Sequence, residues 1–164
     1  MTDIVSSETR SRMMSGIKGK DTRLEMLLRR GLHRAGYRFR THKKDLPGKP
    51  DIVLPRHKAI VQANGCFWHG HDCSLFKVPS TNREKWKEKI DRNRERDQRN
   101  RDALEAAGWR VLDVWECSVK GPDRLESLDV IQFVCDWVGS GEVSAELRGG
   151  SVPVDKNGEG IHEP

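Results

Sequence analysis

The chain has 164 residues, 35% hydrophobic and 34% charged, with a net charge of +5. That is the length of one domain, enough to bury about 70% of the unfolded surface. No apolar run approaches the ~20 residues of a membrane-spanning helix, which excludes an integral helical membrane protein. The first eight residues hold no basic stretch followed by an apolar one, so a cytoplasmic location is expected. The charge is uneven. From Gly139 onward Arg148 and Lys156 face Glu142, Glu146, Asp155, Glu159 and Glu163, leaving the tail at −3 and residues 1–138 at +8. A body this basic points to a polyanion, nucleic acid first, bound either by a nuclease or by a passive binder.

In chain order, residues 1–20 read as a polar, basic arm with Arg10, Arg12, Lys18 and Lys20. Thr22-x-x-Glu25 is a capping box. The helix it opens places Leu24, Leu27, Leu28, Leu32 and Ala35 on one face and stops at Gly36. Three strands are predicted next: Tyr37–Thr41, Asp51–Leu54 and Lys58–Ala63, the last two a hairpin around Pro55-Arg56-His57. Residues 64–80 have no period. A second capping box, Thr81-x-x-Glu84, predicts a long helix to Ala107 that stops at Gly108. Arg110–Trp115 is the fourth strand. A last helix, around Glu126–Trp137, groups Leu128, Ile131, Val134 and Val138. Helix, three strands, helix, strand, helix predicts an α/β fold with a mixed central sheet flanked by helices. From Gly139 onward, six of 26 residues are Gly and no apolar period survives, so residues 139–164 read as a flexible acidic tail behind a domain over 21–138.

The densest chemistry is Cys66-Phe67-Trp68-His69-Gly70-His71-Asp72-Cys73. Soft ligands this close in a reducing compartment point to zinc rather than a disulfide. Cys66 and Cys73 supply two ligands and one histidine a third. Cys117, just past the fourth strand, is the natural fourth. Cys66-x-x-His69 and His71-x-Cys73 are both reachable, so spacing leaves the histidine open. A site so saturated is structural, with no open position for water. Cys135, on the apolar side of the last helix, reads as a small core residue.

Pro50-Asp51 starts the second strand beside a third strand that ends in polar groups. That pattern, with the element order, resembles the PD-(D/E)xK nuclease core, in which a carboxylate and a neighbouring backbone carbonyl hold magnesium against a phosphate. Gln62 and Asn64 stand at the usual acidic and lysine positions.

Several longer segments occur in order: Thr9-Arg10-Ser11-Arg12-Met13-Met14, Leu46-Pro47-Gly48-Lys49-Pro50-Asp51, Gly65-Cys66-Phe67-Trp68-His69, Cys73-Ser74-Leu75-Phe76-Lys77-Val78-Pro79, and Gly108 through Cys117. Together they resemble the very short patch repair (Vsr) mismatch endonucleases over about residues 8–138. The resemblance implies a restriction-endonuclease-like core with a structural zinc site. It implies Asp51 and the Ala63 carbonyl as Mg2+ ligands, His69 as general base, and Glu25 as an acidic residue near the active centre. It makes Cys66, His71, Cys73 and Cys117 the Zn2+ ligands. Phe67, Trp68 and Trp86 match the aromatic residues that wedge into the duplex, and Arg10, Arg12 and Lys49 are expected DNA contacts. Well-known members carry histidine where this chain has Asn64, and Asn cannot act as a base. Trp109 and Trp115 read as core.

The expected function is a Mg2+-dependent endonuclease that nicks duplex DNA 5′ to the thymine of a T:G mismatch, the product of 5-methylcytosine deamination. The rival is a zinc-stabilised DNA-binding module without catalysis. The expected partners are mismatched double-stranded DNA and a mismatch-repair protein. The expected state is a monomer, without a membrane, acting on the nucleoid in a bacterial cytoplasm.

Overall fold

The computed structural model describes residues 22–150; Arg10, Arg12 and the rest of the N-terminal arm lie outside them, as does the tail from 151. Helix α1 (Arg23–Arg34) begins as its cap predicts, with the Thr22 side chain accepting from the Glu25 N–H at 3.2 Å. It ends in a left-handed turn at Gly36, with the Tyr37 N–H donating to the Leu32 carbonyl. Strands β1 (Arg40–Thr41), β2 (Ile52–Leu54) and β3 (Ala59–Asn64) form an antiparallel meander. Helix α2 (Arg83–Ala106) then crosses over to β4 (Arg110–Trp115), parallel to β3. Helix α3 (Ser127–Ser140) leads to β5 (Ala145–Leu147), parallel to β4. The sheet order is β1-β2-β3-β4-β5, mixed as expected. Among the described residues no helix is long and apolar enough to cross a membrane.

Strand alternation divides the core. Ile52, Leu54, Ala59, Val61, Leu112 and Val114 point to one face, where Leu24, Leu28 and Leu32 of α1 and Val130, Val134, Trp137 and Val138 of α3 cover them. Gly31 lets α1 and α3 close up, because a Cβ there would run into Ile131. The other face carries only a small cluster, Val53, Ile60, Val111 and Leu104 of α2. Helix α2 buries just Ile90 and Leu104, so most of it is a polar wall over a cleft. Arg110 ties the layers together. Its guanidinium donates to the carbonyls of His57, Trp137, Val138 and Glu142, three of them at or just past the α3 end, where backbone acceptors lack helical partners.

Four expectations need correction. The first strand shrinks to Arg40–Thr41, because Tyr37 and Phe39 turn onto the core instead of pairing. Helix α2 starts at Arg83 with Asn82 as its N-cap, left-handed at φ 56 and making no side-chain cap bond, one residue past the predicted cap at Thr81. In α3, Leu128 is 82% exposed, while Val130, Val134, Trp137 and Val138, at i, i+4, i+7 and i+8, form the buried stripe. The folded body does not end at 138. Helix α3 runs to Ser140, and β5 pairs Ala145, Glu146 and Leu147 with Leu112, Asp113 and Val114. A three-residue strand held by backbone bonds leaves almost no hydrophobic period to read.

Candidate active site and metal centre

The period-2 alternation of the strands also builds the site. On the α2 face, Asp51 precedes β2, Gln62 and Asn64 end β3, Asp113 and Trp115 lie on β4, and Glu146 pairs with Asp113 from β5. These polar groups line one open cleft of about 2260 Å³, together with Glu25, His42, Lys49, Phe67, Trp68, His69, Trp86 and Asp97. The cleft lies at the carboxyl ends of the parallel pair β3 and β4, where polar groups converge in α/β sheets.

Asp51 sits at its centre. Its Oδ2 accepts from the Ala63 N–H at 2.9 Å, and its own N–H donates to Gln62 Oε1 at 3.2 Å. Asp51 and residue 63, the two predicted cation ligands, are therefore neighbours. Burial pushes the Asp51 carboxyl up to about 6; the Ala63 N–H opposes this and the Glu25 charge adds to it. The Glu25 backbone makes the cap and frees its side chain for the cleft. That carboxylate is buried, with Oε2 2.9 Å from Arg29 Nη2 and 3.2 Å from His42 Nε2. His42, left-handed at φ 48, places Nδ1 3.9 Å from Asp51 Oδ1. Glu25, His42 and Asp51 bring one ligand atom each to within 4.8 Å of the others, close enough to hold an ion.

His69 lies on the wall facing α2. Its Nδ1 bonds the Asp97 carboxylate. A carboxylate only accepts, so Nδ1 carries the proton, which in the neutral ring leaves the lone pair on Nε2, the arrangement a general base needs. Helix α2 also fixes the loop backbone: Asn93 donates to the Trp68 carbonyl at 2.9 Å, and Arg94 bonds the carbonyls of His69 and Gly70. The basic residues of α2 thus do more than solvate a surface. Asn64 donates to Asp113 Oδ1 at 2.9 Å, and Asp113 pairs with Arg101. Gln62 and Asn64 therefore work as neutral hydrogen-bonding groups in place of an acid and a lysine.

Behind His69, the ligand atoms of Cys66, His71, Cys73 and Cys117 lie within 4.8 Å of one another. The four cysteines, including Cys135, form no disulfide. His71 Nδ1 is 3.7 Å from Cys66 Sγ and 3.6 Å from Cys117 Sγ. A tetrahedral ion bound at ~2.3 Å to sulfur and ~2.0–2.1 Å to nitrogen holds the two about 3.6 Å apart, so the donor set fits such an ion through Nδ1. Burial raises the Cys66 and Cys117 thiols and lowers the His71 imidazolium, as expected for neutral ligands packed together. Between the two histidines stands Trp115. It stacks on His71 at 4.0 Å and meets His69 edge-on, so it belongs to the cleft wall rather than the core. Trp109 packs on the smaller cluster as expected.

At the cleft mouth Phe67, Trp68 and Trp86 are half-buried and packed on one another, with centroids 5.1–6.0 Å apart and Lys89 over both indoles. None belongs to either core cluster. Lys49 is exposed on the loop before Asp51, left-handed at φ 49.

Sequence reasoning passed over His42, Asp97, Asp113 and Glu146. Asp97 had a faint signal, an acid in a basic helix three residues past Arg94. The others became legible only through pairing partners distant in sequence.

A mixed α/β sheet with a carboxylate–histidine cleft and a soft-ligand cluster is the framework of a nuclease fold. Comparison identifies which one. The family model described as "DNA mismatch endonuclease Vsr" matches residues 2–75. The DNA mismatch endonuclease Vsr of Escherichia coli is 40% identical over 90% of this chain and 94% of its own. The Type II nicking enzyme V.XorIIP of Xanthomonas oryzae pv. oryzae is 47% identical over 77% of this chain and 93% of its own. The Type II nicking enzyme V.NmeAIP of Neisseria meningitidis is 45% identical over 73% and 86%. The chain belongs to the Vsr family of DNA endonucleases.

Proposed function

We propose that this protein nicks one strand of duplex DNA 5′ to the thymine of a T:G mismatch and so starts very short patch repair. The observation that carries this reading is the shared cleft: Asp51, the His69–Asp97 pair and the aromatic cluster Phe67–Trp68–Trp86 open onto the same space. The names of the relatives, a mismatch endonuclease and nicking enzymes, support it.

Asp51, with the Ala63 carbonyl and with Glu25 nearby, would hold Mg2+. When bound, that ion neutralises charge on the scissile phosphate. His69 Nε2 takes a proton from the attacking water, while Asp97 holds the ring and stabilises the imidazolium that forms. Oxygen then bonds to phosphorus as the phosphodiester bond to the leaving strand end breaks. Asn64, held by Asp113, donates a hydrogen bond and moves no proton. Cys66, His71, Cys73 and Cys117 would hold a structural Zn2+, whose role is to fix the loop that carries His69 and the aromatic residues. Lys49, with Arg10 and Arg12 outside the described residues, would contact phosphates. We take the protein to act as a cytoplasmic monomer on the nucleoid, with a mismatch-repair protein as a further partner.

The test is a nicking assay on T:G and matched duplexes, with and without Mg2+. One nick per mismatched duplex, only with Mg2+, is expected. Binding without any nick in either buffer would leave the rival, a zinc-stabilised binding module.

The aromatic cluster gives a separate prediction. Trp68→Ala should weaken mismatch binding about 5- to 150-fold, since base–aromatic stacking is worth roughly 1–3 kcal/mol. Its melting temperature should drop little, because the ring stands outside both core clusters. A large melting drop with unchanged affinity would show Trp68 to be a packing residue only. Binding and melting on the same preparation distinguish the two.

A further inference from the structure

We infer that Glu146 is the positioning residue of the metal centre, and that the segment 144–150 closes that centre from outside. This rests on reading Cys66, His71, Cys73 and Cys117 as a zinc site. The segment is not where a zinc shell would be sought: it is rich in Gly, holds no cysteine or histidine, and follows the last helix.

Three contacts converge on the cluster from it. Glu146 Oε1 lies 3.4 Å from His71 Nε2, on the side of the ring opposite the two sulfurs. Imidazole carries one proton when neutral. With Nε2–H donated to Glu146, Nδ1 presents its lone pair to the ion, in the geometry already found for the cysteines. Arg148 clamps the residue next to His71, donating from Nη1 to Asp72 Oδ1 and from Nη2 to the Asp72 carbonyl, both at 2.9 Å. The Gly149 N–H points at Cys117 Sγ at 3.4 Å, and a Cβ on Gly149 would collide with the Cys117 carbonyl, so only glycine brings the chain this close.

Strand pairing explains how one acidic residue finds the ring. In β5, Ala145 and Leu147 face the core, and alternation turns Glu146 to the cleft face beside Asp113. The Glu146 side chain is half exposed, so removing it takes little from the core.

The experiment measures Zn2+ affinity of the full chain by competition with a chromophoric chelator, for wild type, Glu146→Ala, Glu146→Gln and Glu142→Ala. Outer-shell partners of ligating histidines are commonly worth 10- to 100-fold in metal affinity, so Glu146→Ala should bind that much more weakly. Glu146→Gln, which keeps an acceptor oxygen, should recover to within about tenfold of wild type. Glu142→Ala removes the same charge from the turn just before the segment without touching His71 and should match wild type within about twofold. The Co2+-loaded variants should keep a tetrahedral thiolate spectrum, showing that the ligand set is retained. Equal affinity of wild type and Glu146→Ala overturns the inference, as does an equal loss in Glu142→Ala or no recovery in Glu146→Gln. If wild type itself binds no Zn2+, the zinc reading falls and this inference with it, and the wild-type arm alone reveals that case.

Discussion

Asp51→Asn should abolish nicking, keep mismatch binding, and raise the melting temperature of the metal-free protein above pH 6. The activity loss should be roughly 10³-fold or more, because cation stabilisation of a phosphoryl transition state is worth several kcal/mol. Binding survives because the aromatic cluster and basic contacts are untouched. The stability gain follows from the raised carboxyl. In the fold Asp51 titrates at about 6 against 3.8 when unconstrained. Between those values the folded state binds more protons than the unfolded one, so stability falls as pH rises from about 4 to 6. Above 6 the whole penalty is present, on the order of 1–3 kcal/mol. Asn carries no charge and its side-chain oxygen still accepts from the Ala63 N–H, so the variant escapes the penalty. Melting at pH 4 and pH 8 tests this: the variant's gain should appear only at pH 8 and shrink when Mg2+ is added to wild type. Undiminished nicking by the variant would remove Asp51 from the cation site.

Cys117→Ser should strip the metal and destabilise the whole fold, whereas Cys135→Ser should keep it. Cys117 joins the irregular loop 65–80 to the end of β4, and the Cys117 N–H also bonds Cys66 Sγ at 3.3 Å. That loop has no helix or strand of its own and is held by contacts from α2, Trp115 and Arg148, so metal-binding energy there is folding energy. A loss of several kcal/mol, at about 3 °C per kcal/mol for a chain this size, lowers melting by roughly 10 °C or more. The pH dependence has a definite sign. Burial raises both thiols, so a bound ion must displace protons, and affinity should rise with pH and fail on acidification. Cys135 packs beside the main core and is not one of the four clustered donors. Elemental analysis finding zinc in the Cys117 variant and none in the Cys135 variant would reverse the assignment.

Much of this candidate site was visible in the chain because its donor residues are close in sequence. Cys66, His71 and Cys73 fall within eight residues, so three of the four clustered donors need only one loop. Asp51 was singled out because Pro-Asp at a strand start beside a polar strand end is a local pattern. The two roles open to Glu25 were separated only by the fold, in which its N–H makes the cap and its carboxylate turns to His42. Which histidine faces the cysteines was likewise undecided by spacing. Helix α2 decides it: Asp97 takes His69, and Asn93 and Arg94 hold the loop so that His71 turns inward.

By itself the sequence determined the element order as far as α3, the two core-facing helices, the soft-ligand loop and the basic character of the body, all encoded in short-range period and spacing. Tertiary structure decided what depends on partners far apart in the chain. It set β5 against β4, drew Glu146 to His71 across 75 residues, and tied Asn64 to Asp113 and Arg101. Backbone pairing carries no side-chain signature, and a hydrogen bond between distant residues leaves no period along the chain. Such contacts exist only once burial of the apolar stripes has brought the strands into register.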